Sequence, residues 1–178
     1  MQNRILSCPI PTNVNPLSPN GYMFNIQRIP SLSYFCQEAS IPNVDLGIVN
    51  ISSPFAEYPL PGDILNFGEL NVQFLIDSDM ANYKALFNWI QGLGFPEDYA
   101  QYTAQVDKSM PGRGETPSTL SDATLTVLGN NNLPVQYIKF VDCVPISLSS
   151  LTFTSTSQDV QYLIGNASFR YSYFKFES

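Results

Sequence analysis

Seven residues in the middle of the chain, Leu70 to Ile76, restrict the fold more than any other stretch. Leu70, Val72, Phe74 and Ile76 stand on one parity, opposite Glu69, Asn71 and Gln73. A helix would scatter these apolar residues around its circumference, whereas a strand places them all on one face. The same period of two returns at Tyr22, Phe24 and Ile26, and again at Ala123, Leu125 and Val127. A chain with this pattern must bury sheet faces.

The rest of the chain is read around these strands. Residues 1–20 are rich in Pro, Asn and Ser and read as an extended arm, and residues 21–178 as a single β-rich domain. Leu32 to Ala39 reads as the hairpin partner of the first strand. Val44 to Pro61 carries Val44, Leu46 and Ile48 on one parity and then Pro54, Pro59 and Pro61, which fits an edge strand or a protruding hairpin. Met80, Tyr83, Leu86, Phe87 and Ile90 recur at helical spacing and predict one helix, capped by Asp77 or Ser78 and closed by Gly92 or Gly94. Phe95 to Ser121 shows no steady period and reads as a long loop. A hairpin follows, turning at Gly129 to Asn132 and continuing through Val135, Tyr137, Lys139 and Val141. Cys143 to Ser150 reads as a link, and Val160 to Phe176 as one long aromatic strand that must be paired, covered or used as an interface. The fold class is mainly β, an antiparallel sandwich or barrel with one packed helix.

Several chemistries are excluded or weakened by composition. The chain has no histidine, which removes the commonest general base, the Ser-His and Cys-His pairs and the imidazole metal ligands. Cys8, Cys36 and Cys143 are far apart, with no C-x-x-C pair, and read as structural thiols. The formal net charge of −7 argues against a surface that generally attracts phosphate backbones. No signal peptide is recognisable and no apolar run reaches the roughly 18 residues of a membrane span, so the expectation is a soluble protein made in a cytoplasm. The sequons at Asn50 and Asn166 carry no weight without a secretion signal.

The short motifs have plainer readings. Asp77-Ser78-Asp79 has the form of a D-x-D metal site, but helix capping accounts for both acids. Glu97 and Asp98 are adjacent and do not converge on a substrate as an acid and base pair must. Gly112-Arg113-Gly114 lacks the Lys-Ser/Thr of a phosphate loop. Tyr162, Phe169, Tyr171, Tyr173, Phe174 and Phe176 could form a base-stacking platform, yet only Arg170 and Lys175 lie nearby, and core or interface fits better. No catalytic, metal or cofactor site is expected.

The order of elements from about Asn20 onward resembles the phage tail-tube family, whose fold is shared with tube proteins of related contractile injection systems. Gly21 to Ile29 is similar to the family's first strand, and Tyr34 to Pro42, with Cys36 and the Ile41-Pro42 ending, to its second. Pro61-Gly62-Asp63, Phe67 and the strand ending in Asp77 resemble its Gly-Asp turn and the strand entering its helix. Tyr83 to Trp89 resembles that helix, and the Pro145 turn, Leu151 to Phe153 and the aromatic last strand complete the order.

The resemblance implies a structural, non-enzymatic virion protein that forms stacked, six-fold rings of a tail tube. It implies partners of three kinds: copies of itself, sheath and baseplate proteins, and DNA that passes without specific binding. No cofactor and no membrane enter, and assembly is expected in the host cytoplasm. Within this frame the projecting segment makes Phe55, Tyr58 and Leu60 candidate subunit contacts. Net charge together with the resemblance makes Glu38 and Glu69 candidate channel-facing acids, each expected in a strand. Three other readings stand beside it: a tube-initiating or tube-capping relative, a monomeric β-sandwich module for a carbohydrate or peptide, and a hydrolase using carboxylates alone.

Overall fold

The computed structural model describes residues 14–94, 96–107, 119–155 and 162–177. The arm before Val14, which includes Cys8, and the Gly112-Arg113-Gly114 turn lie outside them. From Val14 to Asn20 there is no strand or helix, and Asn130 Nδ2 donates to the Pro16 carbonyl at 3.3 Å.

The strands are β1 (Tyr22–Ile26), β2 (Cys36–Ala39), β3 (Val44–Ser52), β4 (Glu57–Phe67), β5 (Leu70–Leu75), β6 (Ser121–Leu128), β7 (Pro134–Leu148), β8 (Ile164–Arg170) and β9 (Tyr173–Glu177). The helices are α1 (Pro30–Phe35), α2 (Ala81–Gly94) and α3 (Ala100–Asp107). Seven strands form an antiparallel sheet in the order β1-β6-β7-β8-β5-β2, with β9 added on β7, and β3 and β4 form a separate two-stranded sheet. The expected alternation holds on β1, β5 and β6. Leu70, Val72 and Phe74 are buried on β5 while Asn71 is exposed, and Phe24, Ile26, Ala123 and Leu125 are buried on β1 and β6.

β7 organises the molecule. It runs through Cys143 to Leu148, where a link was expected, because Pro145 sits at an irregularity and leaves enough partners for pairing to continue. Its first half pairs with β6 and β9 and its second half with β8. Asp142, at φ 58, marks the change, and a non-glycine residue there is a local bend that neighbours must hold. Ser172 does so, its N–H donating to the Val141 carbonyl at 2.9 Å and its Oγ to Asp142 Oδ2 at 3.2 Å. The C-terminal run is therefore two strands, broken at Tyr171 and Ser172 opposite the bend. On β7 the parity holding Ile138 and Phe140 faces the core, while Val135 and Tyr137 are exposed.

Leu32 to Ala39 is not a hairpin partner of β1. Pro30 occupies the first turn of α1, where its missing N–H is no loss, and Leu32 is buried beneath that turn. The helix carries the chain across to the far edge, so β2 pairs with β5 while β1 pairs with β6. The Tyr22 hydroxyl nevertheless lies near the Cys36 thiol, and burial together with that thiol raises its pKa, although their strands lie at opposite ends of the strand order.

α2 lies where expected, with its buried stripe rotated. Asn82, Leu86 and Trp89 are buried and Leu93 packs beside them, whereas Phe87 is exposed. Its first turn is satisfied by Asn82, not by Asp77 or Ser78. Asn82 Oδ1 accepts the N–H groups of Tyr83 at 2.8 Å and Asp77 at 3.4 Å, and its Nδ2 donates to the Leu75 carbonyl at 2.7 Å. The long loop contains α3, which packs on α2 and begins where the Asp98 carbonyl accepts the Gln101 N–H at 3.1 Å. No apolar period betrays it, since its ordering depends on that neighbour.

Candidate assembly surfaces

The β3–β4 hairpin turns at Ser53, whose N–H donates to the Ala56 carbonyl at 3.0 Å. Because β4 pairs with β3 alone, Pro59 and Pro61 cost it no hydrogen bond to another strand. At its base the Gly68 N–H donates to the Asn43 carbonyl at 2.9 Å. Phe67 enters an aromatic cluster there, 5.5 Å from Phe174 and 6.1 Å from Tyr171 between ring centres. The rest of the hairpin is solvent-facing.

Phe55 sits at the tip and is 97% exposed. Tyr58 pairs with Ile51 and Leu60 with Val49, so these four apolar side chains share one face. Tyr58, Leu60 and Phe55 are the residues expected here from the sequence, and Val49 and Ile51 join them across the hairpin. Their signal was the alternation with Asn50 and Ser52.

A second surface lies on the outer face of β2, β5 and β8. One row places Glu38 beside Gln73 and Asn166, and the next sets Asn71 opposite Ser168. Ser168 Oγ donates to Asn71 Oδ1 at 2.7 Å, and Ser40 Oγ lies 3.4 Å from the Asn71 carbonyl. Between the rows is a shallow depression of about 270 Å³ lined by Glu38, Ser40, Asn71, Val72, Gln73 and Asn166. Its lining offers amide, hydroxyl and carboxylate groups. Glu38 is exposed within β2, as expected. Glu69 is not in a strand: it occupies the turn between β4 and β5 and is bridged to Arg170 at 3.3 Å.

The remaining candidates do not converge. The aromatic residues named as a stacking platform are dispersed. Phe169 is buried beside Trp89, Tyr171 and Phe174 join Phe140 in the cluster at the bend, and Tyr162, Tyr173 and Phe176 are exposed. Glu97 is engaged by Gln101 Nε2 at 3.0 Å. Among the described residues no three Cys, Asp or Glu side chains cluster as a metal site would need. Burial pushes the Cys143 thiol up to about 12, which leaves it protonated and inert near neutral pH. Among the described residues no helix is long and apolar enough to cross a membrane.

The sequence model of the phage tail tube protein family matches residues 7–177. The chain belongs to that family. Phage tail tube proteins are structural rather than enzymatic, and membership gives this one a structural role in the tail tube of a tail particle. No curated protein matches the sequence. Among solved structures the tail tube chain is similar to the tube-terminating cap of the anti-feeding prophage, at 10% identity and a TM-score of 0.62, with 98% of this chain and 99% of that one covered. It is also similar to a chain of the sheath-tube complex of the extracellular contractile injection system PVC, at 13% identity and a TM-score of 0.59, with 92% of each chain covered. A chain of the PVC sheath/tube terminator gives 14% identity and 0.60, covering 92% of this tail tube protein and 98% of its counterpart. At such identities the likeness is one of fold, and it includes the mainly antiparallel β architecture expected from the alternating strands.

Proposed function

We propose that the chain assembles with copies of itself into stacked rings, six to a ring, that form a tail tube through which DNA passes. One observation carries this reading: the hairpin holds Val49, Ile51, Tyr58 and Leu60 together on a solvent-facing side with Phe55 at its tip. A lone domain gains nothing from such a surface, and a neighbouring copy would bury it. Phe55, Tyr58 and Leu60 are accordingly the proposed subunit contacts. Six-fold order is supported by the anti-feeding prophage baseplate, solved with 6-fold symmetrisation, a chain of which shares the fold at a TM-score of 0.59 and 13% identity.

The proposed channel lining is the amide and hydroxyl face that carries Glu38. Cations there would condense on phosphates and hold DNA in place, whereas amides, hydroxyls and a carboxylate let a polyanion slide. Glu69 joins this lining with its charge already countered by Arg170. The reading gives sheath and baseplate proteins as further partners, the host cytoplasm as the place of assembly, and neither sequence-specific DNA binding nor membrane contact. The proposed domain division, an arm over residues 1–20 and one tube-like domain over 21–178, goes with it.

A tube-initiating or tube-capping relative is the second reading, favoured by the likeness to a cap and a terminator. Light scattering after size exclusion at several concentrations, with negative-stain microscopy, tests both. Open-ended tubes support the first, rings that stop at one or two layers support the second, and a strict monomer at every concentration overturns both.

A further inference from the structure

The hairpin does not keep its apolar side chains on one face. Residues of β3 alternate without interruption, and each paired residue of β4 shares the face of its partner. Near the base, Val44, Leu46, Ile48 and Leu65 lie on one face, and Asp45 with Asn66 on the other. Toward the tip the assignment reverses. Val49, Ile51, Tyr58 and Leu60 take the second face, while Asn50, Ser52 and Glu57 occupy the first.

The reversal coincides with a bulge, where the three residues Gly62 to Ile64 oppose Gly47 alone. The strands approach so closely there that a Cβ on Gly62 would lie 2.7 Å from the Gly47 carbonyl oxygen, which only glycine accommodates.

Both apolar patches are solvent-facing, their members between 45% and 70% exposed. With Phe55 and Ile64 they leave apolar surface on the order of 1,000 Å² uncovered, comparable to the roughly 800 Å² each partner buries in a stable interface and divided between two faces. Phe67 holds the base against the domain's own core, so the base patch lies beside the body of the subunit. The tip lies eight residues further along the ribbon, on the order of 25 Å from its base at about 3.3 Å each. One flat partner cannot cover opposite faces of a ribbon.

We propose that the hairpin is clasped by two other copies of this chain at once, one seated on the base face and the other on the tip face. The proposal rests on the self-assembly reading above and adds that its contacts are separable. Apolar occupants fit both patches, since the hairpin carries Asp45, Glu57 and Asp63 and no basic residue for an acidic partner to engage.

The test uses the full chain and two paired substitutions at exposed positions, Leu46→Asp with Leu65→Asp on the base face and Ile51→Asp with Tyr58→Asp on the tip face. Circular dichroism and melting establish folding, and serine in place of aspartate serves at any pair that fails to fold. Assembly is followed by light scattering and negative-stain microscopy. Each pair should raise the concentration needed for full assembly at least tenfold, and the two should arrest at different species.

Arrest of both pairs at the same species would overturn the proposal, because ribbon twist, which bulges increase, would then have turned both patches toward one copy. Full tubes from either pair at the concentration that suffices for the unmodified protein would also overturn it. An unmodified protein that stays monomeric at every concentration sinks the self-assembly reading itself, an outcome distinct from the other two.

Discussion

Arg28 and Trp89 converge on one acceptor. The Trp89 indole N–H donates to the Thr119 carbonyl at 3.0 Å, and the Arg28 guanidinium, 5.0 Å above the same ring, donates to that oxygen at 3.3 Å. The Arg28 N–H donates in turn to Ser121 Oγ at 3.2 Å. This node fixes the chain where it re-enters the sheet at β6. Trp89→Phe should cost about 2 kcal/mol and Arg28→Ala about 1 kcal/mol. Because they share the ring and the acceptor, the double variant should lose less than the total, by about 0.5 kcal/mol or more in a urea-unfolding cycle. Strict additivity would mean that the node does not act as a unit.

The start of α2 gives a contrast between neighbours. Asn82 is buried and serves three backbone groups, so Asn82→Ala leaves Leu75 and Asp77 with orphaned polar atoms and should cost about 2 to 3 kcal/mol. Asp77→Ala with Asp79→Ala should cost no more than about 0.5 kcal/mol, since neither carboxylate caps the helix. Chemical denaturation of the two variants decides it, and a larger loss from the aspartate pair would restore the capping role to them.

Alkali should unfold the protein through groups that burial keeps protonated. Burial pushes Cys143 from an ordinary 9.0, and Tyr22 and Tyr171 from 10.0, up to about 12. The unfolded chain loses these protons first, so it binds fewer protons than the native state and stability falls as pH rises. The contribution is intact below about pH 9 and is lost progressively toward about 12. Urea midpoints measured from about pH 7 to about 11 should show this decline. Cys143→Ala should start about 1 kcal/mol lower yet decline less between the ordinary values of the thiol, 9.0, and the phenols, 10.0. A parent profile flat to about pH 11 would contradict the burial argument.

Charge reversal tests the proposed channel face. Glu38→Lys with Glu69→Lys should change stability by no more than about 1 kcal/mol, both positions being exposed. Assembled particles of the variant should retain duplex DNA at low salt and release it as salt rises. Steeply salt-dependent DNA binding by the unmodified protein would defeat the sliding mechanism.

Local pattern alone determined that Leu70 to Leu75 becomes a strand, that Gly129 to Asn132 is a turn, and that the spacing of Tyr83, Leu86 and Ile90 belongs to a helix. It also marked Tyr58 and Leu60 as outward-facing apolar residues. Each of these follows from periodicity or turn chemistry carried by residues close in the chain. Tertiary structure alone decided that β2 pairs with β5 and not with β1, and that the aromatic terminus breaks at Tyr171 opposite the bend at Asp142. It also decided that α2 turns Trp89 inward and Phe87 outward, and that Glu69 is tied to Arg170, 101 positions away. A strand's residues state which faces they prefer, but its partner is chosen by backbone hydrogen bonds that carry no side-chain label. That choice becomes definite only when distant segments bury their faces in one core.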